Sequence, residues 1–110
     1  MLAVFFLFKF THLSIPYHWD ELGVYSKAAL YMFDNQISLL PGVIPADLSR
    51  GHPLLCAAVF AASFKLFGPT IWVGHLTALL ISCLLLIVIY LFSRKIFGPI
   101  VAATASMMLM

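Results

Sequence analysis

Apolar runs alternate with a single polar stretch along this chain. Residues 1–10, MLAVFFLFKF, are almost wholly apolar and read as the tail end of a membrane helix. Residues 11–52 are polar and aromatic and read as a loop. Residues 53–67, PLLCAAVFAASFKLF, form a second apolar segment, and residues 71–92, IWVGHLTALLISCLLLIVIYLF, a third. Residues 99–110, PIVAATASMMLM, begin a fourth. A helix crossing the bilayer needs about 20 apolar residues at a rise of about 1.5 Å each. The third segment meets this alone; the second is short unless it starts within the loop near Arg50. FGPT at 67–70 and FGPI at 97–100 place Gly where a helix ends and Pro where it cannot continue. The second and third segments are therefore expected to form an antiparallel helical hairpin, with the fourth turning back. The expected fold is all-α: polytopic transmembrane helices within a single incomplete membrane domain, 1–110. The last run stops mid-helix without a polar tail, and the first is too short to span. The chain thus reads as part of something longer. The opening run has neither the basic n-region nor the small-residue cleavage site of a secretory signal.

The loop has order of its own. Residues 21–33 carry Leu22, Tyr25, Ala29 and Met32 at helical spacing on one face. Asp20 can cap the start of such a helix, and Asp34, Asn35 and Gln36 can end it. With Trp19, Tyr25, Tyr31 and Phe33, it suits the membrane–water interface, where amphipathic aromatics settle. Residues 39–53 hold three prolines and two glycines. They read as a turn, one short helical turn from Pro45, and a lead into the next helix.

Composition sharpens this picture. Of 110 residues, 64% are apolar, against about 45–50% in a soluble domain. The net charge of +2 and the absence of a basic stripe argue against a nucleic-acid partner. Cys56 and Cys83 both fall in apolar runs and read as small packing residues. All four acids, Asp20, Glu21, Asp34 and Asp47, lie in the 11–52 loop. A charge at mid-membrane costs about 2.5–3.5 kcal/mol on insertion scales. The loop is therefore where polar chemistry must reside.

Each candidate residue has two readings. Asp20 and Glu21 can supply a general base beside a membrane cleft, since low polarity raises a carboxyl pKa into a useful range. They can equally be an N-cap and a first-turn acid favoured by the helix dipole. Arg50 in SRGHP can pair with a phosphate or snorkel to lipid headgroups, and His52 lies beside it. His12, His18, Asp20, Glu21 and His52 include metal-ligand types, but no tight ligand spacing such as H-E-x-x-H links them. Interfacial histidines are the better reading; no cofactor is required, and a divalent ion is the weaker alternative. His75 reads as a helix-end packing or hydrogen-bonding residue. No G-x-S-x-G, Gly-rich phosphate loop or paired-Cys motif is present.

The order of these parts resembles the N-terminal region of membrane-embedded glycosyltransferases of the C-type (GT-C) fold. The nearest group is the bacterial relatives of protein O-mannosyltransferases and aminoarabinose transferases, glycosyltransferase family 39-like proteins. Four motifs carry the resemblance: Asp20-Glu21 in HWDELGVYSKAALY, His52-Pro53, Phe64-Lys65-Leu66-Phe67-Gly68, and Arg94-Lys95-Ile96-Phe97-Gly98. Leu54 departs from the pattern, where a second proline is usual. The resemblance implies a polyprenyl-phosphate-linked sugar donor and a lipid, glycan or protein acceptor. It implies Asp20 as catalytic base with Glu21 in support. It also implies a multi-pass protein of the bacterial plasma membrane with the 11–52 loop extracytoplasmic. Arg50 and His52 near the carrier phosphate are an inference from their position. The count of Lys and Arg at the ends of the third segment points the loop the other way. The family's topology is preferred, because basic residues near a carrier phosphate have a reason to be there. The competing class is a non-enzymatic membrane protein, a transporter piece or small scaffold whose loop acids are caps; a transporter calls for broken helices at mid-membrane.

Overall fold

A computed structural model describes residues 2–17, 25–40 and 42–109. Among them every regular element is helical: α1 (Leu2–Phe10), α2 (Ser26–Asp34), α3 (Ala46–Ser49), α4 (Leu54–Phe67), α5 (Ile71–Phe97) and α6 (Pro99–Met108). The chain divides into two units, one of residues 14–77 and one of 1–13 with 78–110.

Local chemistry explains the ends of these helices. α1 closes where the Thr11 hydroxyl donates to the Phe8 carbonyl at 2.9 Å and His12 Nδ1 lies 3.0 Å from the same oxygen. His12, a candidate ligand by residue type, thus sits at a helix end. α2 ends where Asn35 bonds the Tyr31 carbonyl through both its backbone N–H, at 3.0 Å, and its side-chain amide, at 2.9 Å. That is the stop expected at 34–36; the expected start at 21 lies outside the described residues. Pro45 and Pro53 stand immediately before α3 and α4, both with extended ψ values, 137° and 127°. Proline has no N–H to leave unpaired there.

The two Phe-Gly-Pro sequences act alike. Gly68 and Gly98 have φ of 91° and 87°, a region open to glycine. Each N–H returns to the carbonyl four residues back, Phe64 and Arg94. Beyond the first break, Thr70 Oγ1 accepts the Val73 N–H at 3.3 Å and caps α5.

In the 14–77 unit the closest helix packing is α2 on α4. Ala28 and Met32 of α2 bury against Ala57, Ala58 and Ala61 of α4, with Ile44 closing the cluster. The three alanines have no bulk to hold the helices apart. Ala29 and Met32, two of the residues expected to share one face of the loop helix, are fully buried, and Tyr25 is half-buried. A second cluster joins Ala29 to Phe64 and Val73, flanked by Phe33 and Phe60. Phe64 and Val73, on either side of the Gly68 break, thus share one cluster. Tyr17 lies so close to Gly74 that its hydroxyl occupies the place of a Cβ, and its ring meets that of His75 edge-on, with centroids 5.2 Å apart.

In the other unit, residues 78–97 of α5 present apolar side chains on most sides. Leu79 and Leu86 are buried, while Leu84 and Phe92 are more than half exposed. Among the described residues α5 is the one helix long and apolar enough to cross a membrane. Its 27 residues reach about 40 Å against a hydrocarbon core of about 30 Å. The helix continues beyond the apolar segment that ends at 92, through Arg94 and Lys95. Nothing there breaks a helix, and basic residues are favoured in a last turn. α4 has 14 residues, about 21 Å, and is shorter than that core. Within α4, α5 and α6 the hydroxyls of Ser63, Thr77, Ser82, Thr104 and Ser106 each donate to the carbonyl four residues back. A hydroxyl bonded this way needs no water and tolerates lipid. Cys56 and Cys83 are free and half-buried, in α4 and α5.

Candidate functional site

Of the polar residues singled out by sequence, Arg50 and His52 sit on the connection between α2 and α4. Asp20, Glu21 and His18 lie outside the described residues. Arg50 and His52 are described, and both are exposed.

Arg50 follows α3 directly and caps its C-terminus, its N–H donating to the Ala46 carbonyl at 2.9 Å. Its φ of 46° and ψ of 30° place it in the left-handed region, and it is the one described non-glycine residue with positive φ. For a residue with a Cβ this conformation costs about 1–2 kcal/mol. The closing turn of α3, the Gly51 bend and the Pro53 start of α4 hold it there. Arg50→Gly is expected to leave the thermal unfolding midpoint unchanged or slightly raised, because it releases the strain. Arg50→Val, with a branched Cβ poorly suited to positive φ, is expected to lower stability by about 1–2 kcal/mol. Thermal unfolding of the two variants checks the sign of each.

His52 precedes Pro53, and a residue before proline is held in an extended conformation. Its ring lies against that of Tyr25, with centroids 5.6 Å apart and planes tilted by 60°. Tyr25 stands immediately before α2. The α2–α4 cluster therefore fixes the platform from which Tyr25 reaches His52. No sequence signal announces this pair: Tyr25 reads as one position on a helical stripe, and His52 as part of a loop. His75, one turn into α5, packs on Tyr17, in keeping with a helix-end packing role. Tyr17 and Tyr25 are the described residues on either side of 18–24, the stretch that bears the acid pair. Among the described residues no three of His, Cys, Asp and Glu come together.

The turn carrying His52 also begins the part of the chain that can be matched to known proteins. Residues 51–110 match the family model of dolichyl-phosphate-mannose-protein mannosyltransferases. The chain belongs to this family. At that level it is a GT-C-type glycosyltransferase sequence, as the ordered motifs imply, and membership places it among integral membrane proteins. No curated protein and no solved structure matches it. The matched region of this mannosyltransferase-family chain covers His52, α4, α5 and α6 and begins one residue after Arg50. α5 runs unbroken through its polar positions Thr77 and Ser82, unlike the interrupted helices that transporters use at mid-membrane.

Proposed function

We propose that the protein transfers a sugar from a polyprenyl-phosphate-linked donor to a lipid, glycan or protein hydroxyl on the extracytoplasmic side of a bacterial plasma membrane. The observation that carries the reading is the family match over residues 51–110. The family's description names a lipid-phosphate-linked mannose as donor and a protein as acceptor. For this chain the sugar and acceptor are left at the level of class.

In this reading the chain is multi-pass. Residues 1–10 end the first span, 53–67 and 71–92 form the second and third, and 99–110 start the fourth. The 11–52 loop is extracytoplasmic, with its helix at the interface. The half-buried aromatics Tyr25, Tyr31 and Phe33 around α2, and the exposed apolar surface of α5, support that placement. α4 crosses only with local thinning of the bilayer or with flanking loop residues at membrane depth.

The reaction is a single displacement. The acceptor oxygen attacks the anomeric carbon, and the bond from that carbon to the phosphate oxygen breaks. The electron pair leaves on the polyprenyl phosphate, and configuration inverts. Asp20 takes the proton of the acceptor hydroxyl as it attacks, so one base suffices and no covalent intermediate on the protein is needed. Glu21 supports the site. Arg50 and His52 face the carrier phosphate, whose negative charge grows as the bond breaks. A guanidinium offers two parallel N–H donors to a phosphate, and exposure leaves it free to do so.

The test supplies the full-length protein, in vesicles, with a polyprenyl-phosphate-linked mannose and, separately, with a nucleotide-linked mannose. Transfer to a peptide, glycan or lipid acceptor is expected from the first donor and not from the second. Equal use of the nucleotide sugar would overturn the donor class.

A further inference from the structure

His52 is exposed, and its backbone is restrained by Pro53, but an imidazole still has two side-chain torsions to settle. A phosphate ligand that met a freely rotating ring would have to order it on binding, and that ordering weakens affinity. The ring is not free-standing. Tyr25 lies against it at a centroid distance of 5.6 Å and a tilt of 60°. That spacing falls within the range, about 4.5–7 Å, at which aromatic rings attract through their faces and edges.

Tyr25 can serve as a support only if it is itself held. It is half-buried and stands immediately before α2. α2 is held on α4 by Ala28 and Met32 against Ala57, Ala58 and Ala61. His52 is tied to the same body from the other side, since Pro53 starts α4. The two rings thus hang from one packed helix pair, and their contact is set by the core beneath them. A flat side chain restrains a flat ring; a branched aliphatic chain of similar volume fills space without fixing the plane. The contact of Tyr25 with His52 is one of ring on ring.

We propose that Tyr25 is the positioning residue of the carrier-phosphate subsite: it holds the His52 imidazole in the orientation from which a ring N–H meets an anionic phosphate. The proposal rests on the placement of His52 at the donor phosphate given above. Tyr25 acts through His52 and is not assigned any contact with the sugar or the acceptor.

The experiment measures transfer by the full-length protein in vesicles against the concentration of a polyprenyl-phosphate-linked mannose. Four variants are compared: Tyr25→Phe, Tyr25→Leu, His52→Ala and the double variant Tyr25→Leu/His52→Ala. Tyr25→Phe is expected to keep the parent KM and kcat. Tyr25→Leu is expected to raise KM about 3- to 10-fold with kcat within about twofold, since only ground-state ordering of the ring is lost. The double variant is expected to be no worse than His52→Ala alone, because a support has no effect once the supported ring is gone. Tyr25→Met, flexible and apolar, makes the same comparison should Tyr25→Leu not reach the membrane. Additive losses in the double variant, or a silent Tyr25→Leu beside a damaging His52→Ala, overturn the positioning role and leave the donor-site reading standing. A silent His52→Ala overturns the assignment of His52 to the phosphate, and the positioning role with it.

Discussion

Asp20→Asn in the full-length protein is expected to lower sugar transfer by about 10²- to 10⁴-fold, the range that general-base catalysis supplies. Asn keeps the size and shape of Asp and can still cap a helix, so a purely structural Asp20 would survive the change. What Asn lacks is a basic oxygen to take the acceptor proton. The variant is therefore expected to reach the membrane in normal amounts and to bind donor with an unchanged KM, with the loss confined to kcat. Glu21→Gln is expected to cost less than Asp20→Asn, since Glu21 supports the site without taking the proton. The assay is initial-rate transfer from a polyprenyl-phosphate-linked mannose, with protein amount set by immunodetection. Parent-like transfer by Asp20→Asn would leave the acid pair as an N-cap and a first-turn acid, the other reading open to these two residues.

Met32→Ala is expected to destabilise the α2–α4 packing by about 2–5 kcal/mol. Met32 is among the largest fully buried side chains and sits at the centre of the cluster that joins the two helices. Its partners Ala57, Ala58 and Ala61 have no side-chain length with which to fill the space that would open. Met32→Leu, which conserves volume, is expected to cost less than about 1.5 kcal/mol. Cys56 offers a local readout, being half-buried in α4 next to Ala57. Its alkylation rate, followed by mass spectrometry of the Cys56 peptide, is expected to rise at least about tenfold in Met32→Ala and little in Met32→Leu, because α4 opens more readily once α2 packs poorly on its alanines. Equal rates in both variants would mean that Met32 does not hold α4 closed. Met32→Ala also bears on function. If α2 carries Tyr25 to His52, loosening α2 is expected to raise donor KM in the same direction as Tyr25→Leu.

Much of the helical layout was legible because helix ends are local chemistry. FGPT and FGPI predicted two breaks, and Gly68 and Gly98 make them with positive φ. Pro45 and Pro53 marked two starts, and Asn35 a stop. The apolar segment read as 71–92 lies within a longer helix, because α5 continues through Arg94 and Lys95 to Phe97. A helix need not stop where the hydrocarbon does. The loop helix showed its apolar face but not its cover, and the acid pair falls on residues outside those described.

The amino-acid sequence by itself determined that the chain is helical and apolar beyond the needs of a soluble domain, that its acids are confined to one loop, and that its motifs follow the order of a glycosyltransferase family. Those properties depend on composition, on nearest neighbours along the chain and on motif order, all of which are one-dimensional. Only the tertiary structure decided that α2 closes on the alanines of α4 and that Tyr25 thereby meets His52. These depend on which surfaces meet when residues far apart in sequence are packed together. An apolar stripe states that a face will be covered, and the shape of the partner settles by what.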